Sequence, residues 1–200
     1  MVSADLVAAP VLSRPSRLRS VPGPTRLRLA DLLHITDRTA DDVLSGRYDY
    51  VIPPGGVPAD DRWFARLHGD DEVDIWLISW VPGHRTELHD HGGSLGALTL
   101  LSGSLDEFRW DGERLRCKRL EAGDQAGFPL GWVHDVVWAP TGPGPSATSP
   151  AVTSLSETQG PSLSVHAYSP PLTVMSFYEV TDQHRLRRKR TELTDQPENL

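Results

Sequence analysis

The sequence predicts an all-β domain, a closed or two-sheet antiparallel barrel preceded by two short helices. Nine short segments between residues 63 and 180 are rich in Val, Leu and aromatic side chains, the types that fit a pleated, half-buried surface. Turn pairs punctuate them: Ser102-Gly103, Asp111-Gly112 and Ala122-Gly123, the second read as a hairpin turn between facing strands. That spacing of short strands and turns is the pattern of a sheet that closes on itself or folds over a second sheet. No internal repeat or heptad pattern competes with it.

The elements follow in order. Leu27, Leu29, Leu32 and Leu33 are spaced for a short amphipathic helix over 26–35. Thr39-Ala40-Asp41-Asp42 reads as the N-cap and acidic first turn of a second helix. Pro53-Pro54-Gly55-Gly56 ends helical structure and hands the chain to strands. Those are expected over 63–67, 73–81, 97–101, 105–110, 115–120, 125–128, 134–138, 163–168 and 174–180. The stretch 140–161 is rich in Pro, Ser, Thr and Gly with few large apolar residues, and is expected to be a mobile excursion between two strands.

Size and charge narrow the function classes. Two hundred residues, 38% of them hydrophobic and with six Trp, suffice for one core, so a single domain over 26–182 is expected. A flexible leader over 1–25 and a basic, polar tail over 183–200 are expected to flank it. The formal charge of -7 argues against a nucleic-acid partner, because neutralising phosphates needs a concentrated basic face. The basic runs at 14–28 and 185–190 are read as solvated tails. Cys117 is the single cysteine, which excludes an intrachain disulfide and suits a reducing cytoplasm. No apolar stretch approaches a membrane span, and residues 6–12 lack the charge order of a secretory signal. A cytoplasmic monomer is expected.

The chemistry is concentrated in two frames. The first is Gly83, five residues, His89, one residue, His91; side chains at i and i+2 of a strand share a face, so the two imidazoles can grip one ion. The second is Gly123, five residues, Pro129, one residue, Gly131, two residues, His134. Together these frames resemble the two signature motifs of the cupins, which implies a cupin (double-stranded β-helix, jelly-roll) barrel. Three imidazoles suit a divalent transition metal without choosing among Fe, Zn, Cu and Ni. Many cupins add a glutamate four or five residues after the second histidine; Leu95 and Gly96 stand there. His34, His68 and His184 have no such frame, and His84 is expected to be structural or to support the site rather than ligate.

Ser164-Val165-His166-Ala167-Tyr168 alternates with period two, so a hydroxyl, an imidazole and a phenol should line one strand face. They can pass a hydrogen bond along, presenting Tyr168 at the end of the row. With His-Asp-His behind Gly83-His84, the Tyr168-Ser169-Pro170-Pro171 run and an arginine before the first long strand, the chain resembles the cysteine dioxygenase family over 63–180. A cis bond before Pro170 is possible.

The resemblance implies a three-histidine Fe(2+) centre at His89, His91 and His134, with L-cysteine oxidised by O2 to cysteine sulfinate. It implies roles beside the iron for Ser164, His166 and Tyr168, and assigns Arg66 to the substrate carboxylate, since a guanidinium offers that group a planar fork. Related enzymes acting on 3-mercaptopropionate carry glutamine at that place. Gly96 stands where animal members have a cysteine crosslinked to the tyrosine, so no crosslink to Tyr168 can form, as in bacterial members. Phe64 replaces a tyrosine of animal members. Dioxygenases of other small thiols, such as 3-mercaptopropionate or mercaptosuccinate, and a non-catalytic metal-binding cupin share the metal motifs.

Overall fold

The computed structural model describes residues 27–141 and 160–197. The leader expected over 1–25 lies outside the described residues, as does 142–159 of the expected excursion.

Among the described residues one α-helix, not two, precedes the sheets. Helix α1 (Leu29–Leu44) starts where the Arg28 N–H donates to the Asp31 carboxylate at 2.7 Å, an acid in the first turn satisfying a donor the helix leaves open. Leu32, Thr36, Thr39, Ala40 and Val43 are all buried, at helical spacing. Thr39 therefore sits inside the helix rather than capping a second one. Its neighbour Thr36 donates back to the Leu33 carbonyl at 3.0 Å and accepts from Thr99 at 2.9 Å, so a polar position that reads as a break is satisfied within the packed face. A single 3-10 turn, Asp49–Val51, follows.

The remaining described residues form two antiparallel sheets. Strands β1 (Phe64–Gly69), β2 (Asp74–Trp80), β4 (Leu95–Ser102), β7 (Gln125–Phe128) and β9 (Ser162–Ser169) make the first, in the order β1-β2-β9-β4-β7. Strands β3 (His89–Asp90), β5 (Ser104–Trp110), β6 (Leu115–Glu121), β8 (His134–Ala139), β10 (Val174–Val180) and β11 (Leu186–Leu193) make the second, in the order β11-β10-β3-β8-β5-β6. Every residue of β2 is buried because the strand serves two cores. Trp76, Ile78 and Trp80 point between the sheets with Leu98, Leu105, Phe128 and Met175, while Ile75 and Leu77 point out beneath α1 with Leu32, Val43 and Val165. Each such side chain removed from water contributes about 1.5–3 kcal/mol, which makes the space between the sheets the main source of stability. This is a cupin barrel, a double-stranded β-helix, with α1 covering the outer face of one sheet. Among the described residues no helix is long and apolar enough to cross a membrane.

The end of the chain departs from the reading as a tail. Leu186–Leu193 is strand β11, paired with β10 from Val174 opposite Leu193 to Val180 opposite Leu186. The sequence Leu-Arg-Arg-Lys-Arg-Thr-Glu-Leu hides it, because ladder hydrogen bonds and charges hold this edge strand rather than an apolar face. Lys189 and Arg190 both reach the Glu87 carboxylate, at 2.8 and 2.7 Å, and the Arg190 guanidinium lies 3.8 Å above the Phe177 ring.

Candidate metal centre and active site

Strand β3 is only two residues long, yet it fixes the site. His89 lies opposite Phe177 of β10 on one side and opposite His134 of β8 on the other, so two candidate ligands form a direct cross-strand pair. His91 follows two residues after His89 and returns to the same side. The three rings sit with centroids 4.8 to 5.2 Å apart, and one ligand atom from each lies within 4.8 Å of the others. All three are buried.

The ring nitrogens are arranged for ligation. His89 Nδ1–H donates to the Glu87 carbonyl at 2.7 Å, which leaves its Nε2 lone pair for the cluster. His134 has no hydrogen-bond partner at either buried nitrogen. Burial holds all three imidazoles below the usual histidine pKa, His91 and His134 well below it, and the neighbouring imidazoles push the latter two further down. Neutral lone pairs converging in a buried place with nothing to bond them are a donor set that a divalent transition metal satisfies. The acids beside the ligands point elsewhere: Asp90 accepts from Tyr178 at 2.7 Å and from the Gly92 N–H at 3.0 Å, and Asp135 is held by Thr86 and by Arg85 at 3.0 Å. Among the described residues the cluster is made of the three histidines alone.

The expected row on β9 is present and continuous. Trp80 Nε1–H donates to Ser164 Oγ at 2.8 Å, Ser164 Oγ lies 3.0 Å from His166 Nε2, and His166 Nδ1 lies 3.2 Å from the Tyr168 hydroxyl. All three members are buried. Burial first, with smaller contributions from the neighbouring His134 imidazole and the Arg62 guanidinium, holds His166 well below the usual histidine pKa. The arrangement that strands no proton has Ser164 donating to Nε2 and Nδ1–H donating to Tyr168, leaving the phenolic proton free to be given to a bound group. Burial first, and Asp74 second, raises the Tyr168 pKa, so it remains a neutral donor. Its ring stands 4.8 Å from that of His91, which brings the row to the metal centre.

Gly96 lies between them. A Cβ there would meet His91 Nδ1 and the Tyr168 ring at 3.3 Å and the Phe128 ring at 2.9 Å, so the position touches Tyr168 but has no room to spare.

Arg66 does not join this site. Although it faces Trp76 across β1 and β2, it is exposed, and its guanidinium fills the space that a Cβ on Gly69 would take. There it acts on Asp74, countering part of the rise that burial imposes on that carboxyl. The buried arginine beside His89 is Arg62, two residues before β1. It is 9% exposed, stacks 4.2 Å over Trp80, and lines a cavity of about 90 Å³ with Thr86, His89, Met175, Phe177 and Arg190. Burial draws its pKa down to about 10, which still leaves it charged at neutral pH. Period-two reasoning could not find Arg62, because it precedes the strand; the only signal was a second arginine in the same Arg-Trp-Phe-Ala-Arg run. Trp80 was also missed as a hub, with Arg62 on its face and Ser164 at its N–H. Phe64 packs edge-on to Trp76 with centroids 5.8 Å apart, and His84 is exposed in the turn before β3, outside the cluster.

Comparison with known proteins gives a family match over part of the chain. Residues 59–127 match the sequence model of the family described as cysteine dioxygenase type I. The match takes in Arg62, Arg66, His89 and His91; it stops short of His134 and β9, which the fold brings to them. No curated protein matches the chain. Among solved structures, an uncharacterised conserved protein with a double-stranded β-helix domain from Klebsiella pneumoniae is 18% identical, covering 64% of this chain and 86% of its own, with a TM-score of 0.46. KdgF from Halomonas sp. is 14% identical, covering 56% and 82%, with a TM-score of 0.42. A cupin superfamily protein from Desulfitobacterium hafniense is 13% identical, covering 56% and 81%, with a TM-score of 0.41. Likeness at this level carries no information about activity. Residues 59–127 are thus similar to the cysteine dioxygenase type I family, and the two-sheet barrel brings three buried histidines together beside them.

Proposed function

We propose that the protein is a thiol dioxygenase that oxidises L-cysteine with O2 to cysteine sulfinate. The observation that carries the reading is the convergence of three neutral, buried histidines, one of which, His89, lines a small cavity together with the buried guanidinium of Arg62. His89, His91 and His134 would hold Fe(II), which supplies the redox chemistry that joins both atoms of O2 to the thiol sulfur. Around it the protein's own groups divide the work. Arg62, held over the Trp80 ring, takes the substrate carboxylate in a two-point grip and so fixes which end of the molecule points at the histidines. Tyr168 offers its phenolic proton to the reacting sulfur or oxygen, and His166 and Ser164 keep that proton aimed. Phe177, Met175 and Phe128 exclude water from the inner wall.

A panel of small thiols tests the substrate. Cysteine is expected to show the highest kcat/KM, and cysteamine, which lacks the carboxylate, a value at least ~30-fold lower, the equivalent of about 2 kcal/mol for a lost buried charge pair. Equal turnover of cysteamine would remove the carboxylate contact from the account. Preference for 3-mercaptopropionate or mercaptosuccinate would keep the chemistry and change the substrate. No O2 uptake with any thiol by the iron-loaded protein would favour a binding cupin.

A further inference from the structure

We infer that Glu107 is a positioning residue of the metal centre, holding His134 through its Nδ1–H and lending a negative charge to a site whose ligands are all neutral. The inference rests on the metal-centre reading of His89, His91 and His134. Glu107 lies on β5 opposite Val136, and the next inward position, Arg109, is opposite His134, so the carboxylate is the diagonal neighbour of the ligand on the inner face of the sheet. Its Oε1 stands 3.5 Å from His134 Nδ1, and both side chains are buried. The same oxygen accepts from Trp132 Nε1 at 3.3 Å, and the Arg109 guanidinium covers that indole at 4.6 Å.

A carboxylate on an inner face is expensive unless something offsets its desolvation, and an apolar side chain would fill the place without that penalty. One indole N–H at 3.3 Å is a weak return. His134 Nδ1, itself without a hydrogen-bond partner, is the group that completes the arrangement. A cation on Nε2 makes Nδ1–H a stronger donor, and the 3.5 Å contact then has reason to shorten into a charged hydrogen bond. That bond would fix the tautomer of His134 and raise its basicity. The three ligands are therefore not equivalent. His89 leans on a neutral carbonyl, whereas His134 leans on a carboxylate.

The test uses the full chain, stripped of metal and titrated with Co(II) against a competing chelator. Wild type is expected to bind one Co(II), and Glu107→Gln to bind it ~10–100-fold more weakly, the range for groups that support a metal-ligating histidine. In the paramagnetic proton spectrum of the Co(II) protein, the exchangeable Nδ1 proton of His134 should move in Glu107→Gln while that of His89 stays in place. A merely structural glutamate would not produce that selective shift. Should Glu107→Gln fail to fold, Glu107→Asp keeps the charge but draws it back by one methylene, and is expected to bind at intermediate affinity with the same resonance displaced. Wild-type affinity and an unmoved His134 proton in a folded Gln or Asp variant would overturn the inference. Failure of the wild-type chain to bind Co(II) would instead overturn the metal centre itself, and the inference with it.

Discussion

His89→Ala is expected to empty the metal centre. The variant should bind Fe(II) more than ~100-fold more weakly than wild type, exceeding the losses seen when only a supporting group is removed. Three features single out this residue. It is paired to both β8 and β10, its Nδ1–H is tied to the Glu87 carbonyl at 2.7 Å, and its ring is 4.8 and 5.1 Å from the other two. Alanine leaves only His91 and His134, and two imidazoles cannot hold a divalent ion against buffer and chelator. The backbone pairing of β3 does not involve the side chain, so the barrel should persist. Metal content after anaerobic loading and gel filtration, with circular dichroism beside it, checks both halves: no retained iron, unchanged strand signal. Equimolar iron in the folded variant would mean that the three histidines are not the site.

Arg62→Ala is expected to raise the KM for cysteine by ~30- to 1000-fold with a much smaller fall in kcat, corresponding to roughly 2–4 kcal/mol of lost carboxylate binding. Arg62→Lys should recover only part of this, because an ammonium cannot present the planar fork. Arg66→Ala should change KM by less than ~3-fold, as an exposed charge contributes little. Steady-state kinetics on the three variants decide between the two arginines: the opposite pattern, with Arg66 critical and Arg62 dispensable, would return the carboxylate to the position first matched. The choice has a structural cause. Arg62 is 9% exposed and shares its cavity with His89, whereas Arg66 is turned to the edge of the sheet over Gly69.

The parts of the fold legible in the sequence were those governed by strict local periods. Nine strands follow from runs of β-forming residues between turn signals, and His89, His91 and His134 follow from an i, i+2 pair and a Gly/Pro frame that sets a strand end. The row Ser164, His166 and Tyr168 follows from the same alternation. What escaped depended on contacts between distant segments. Thr36 and Thr39 look like a break until Thr99 of β4 supplies Thr36 a partner. Strand β11 looks like a tail until β10 pairs with it and Glu87 meets Lys189 and Arg190. Arg62 lies outside any strand, so no period assigns it a face; only its stacking on Trp80 does. Glu107 lies in a segment whose sequence shows only a strand, and it is the pairing of β5 with β8 that sets it beside His134.

Dioxygenation is tested most directly by turning over cysteine with the iron-loaded protein under 18O2 while O2 uptake and sulfinate are measured together. One O2 is expected to be consumed per sulfinate formed, with both sulfinate oxygens labelled, and neither uptake nor product with His89→Ala. Sulfinate carrying oxygen from water, or O2 consumed without sulfinate, would contradict it.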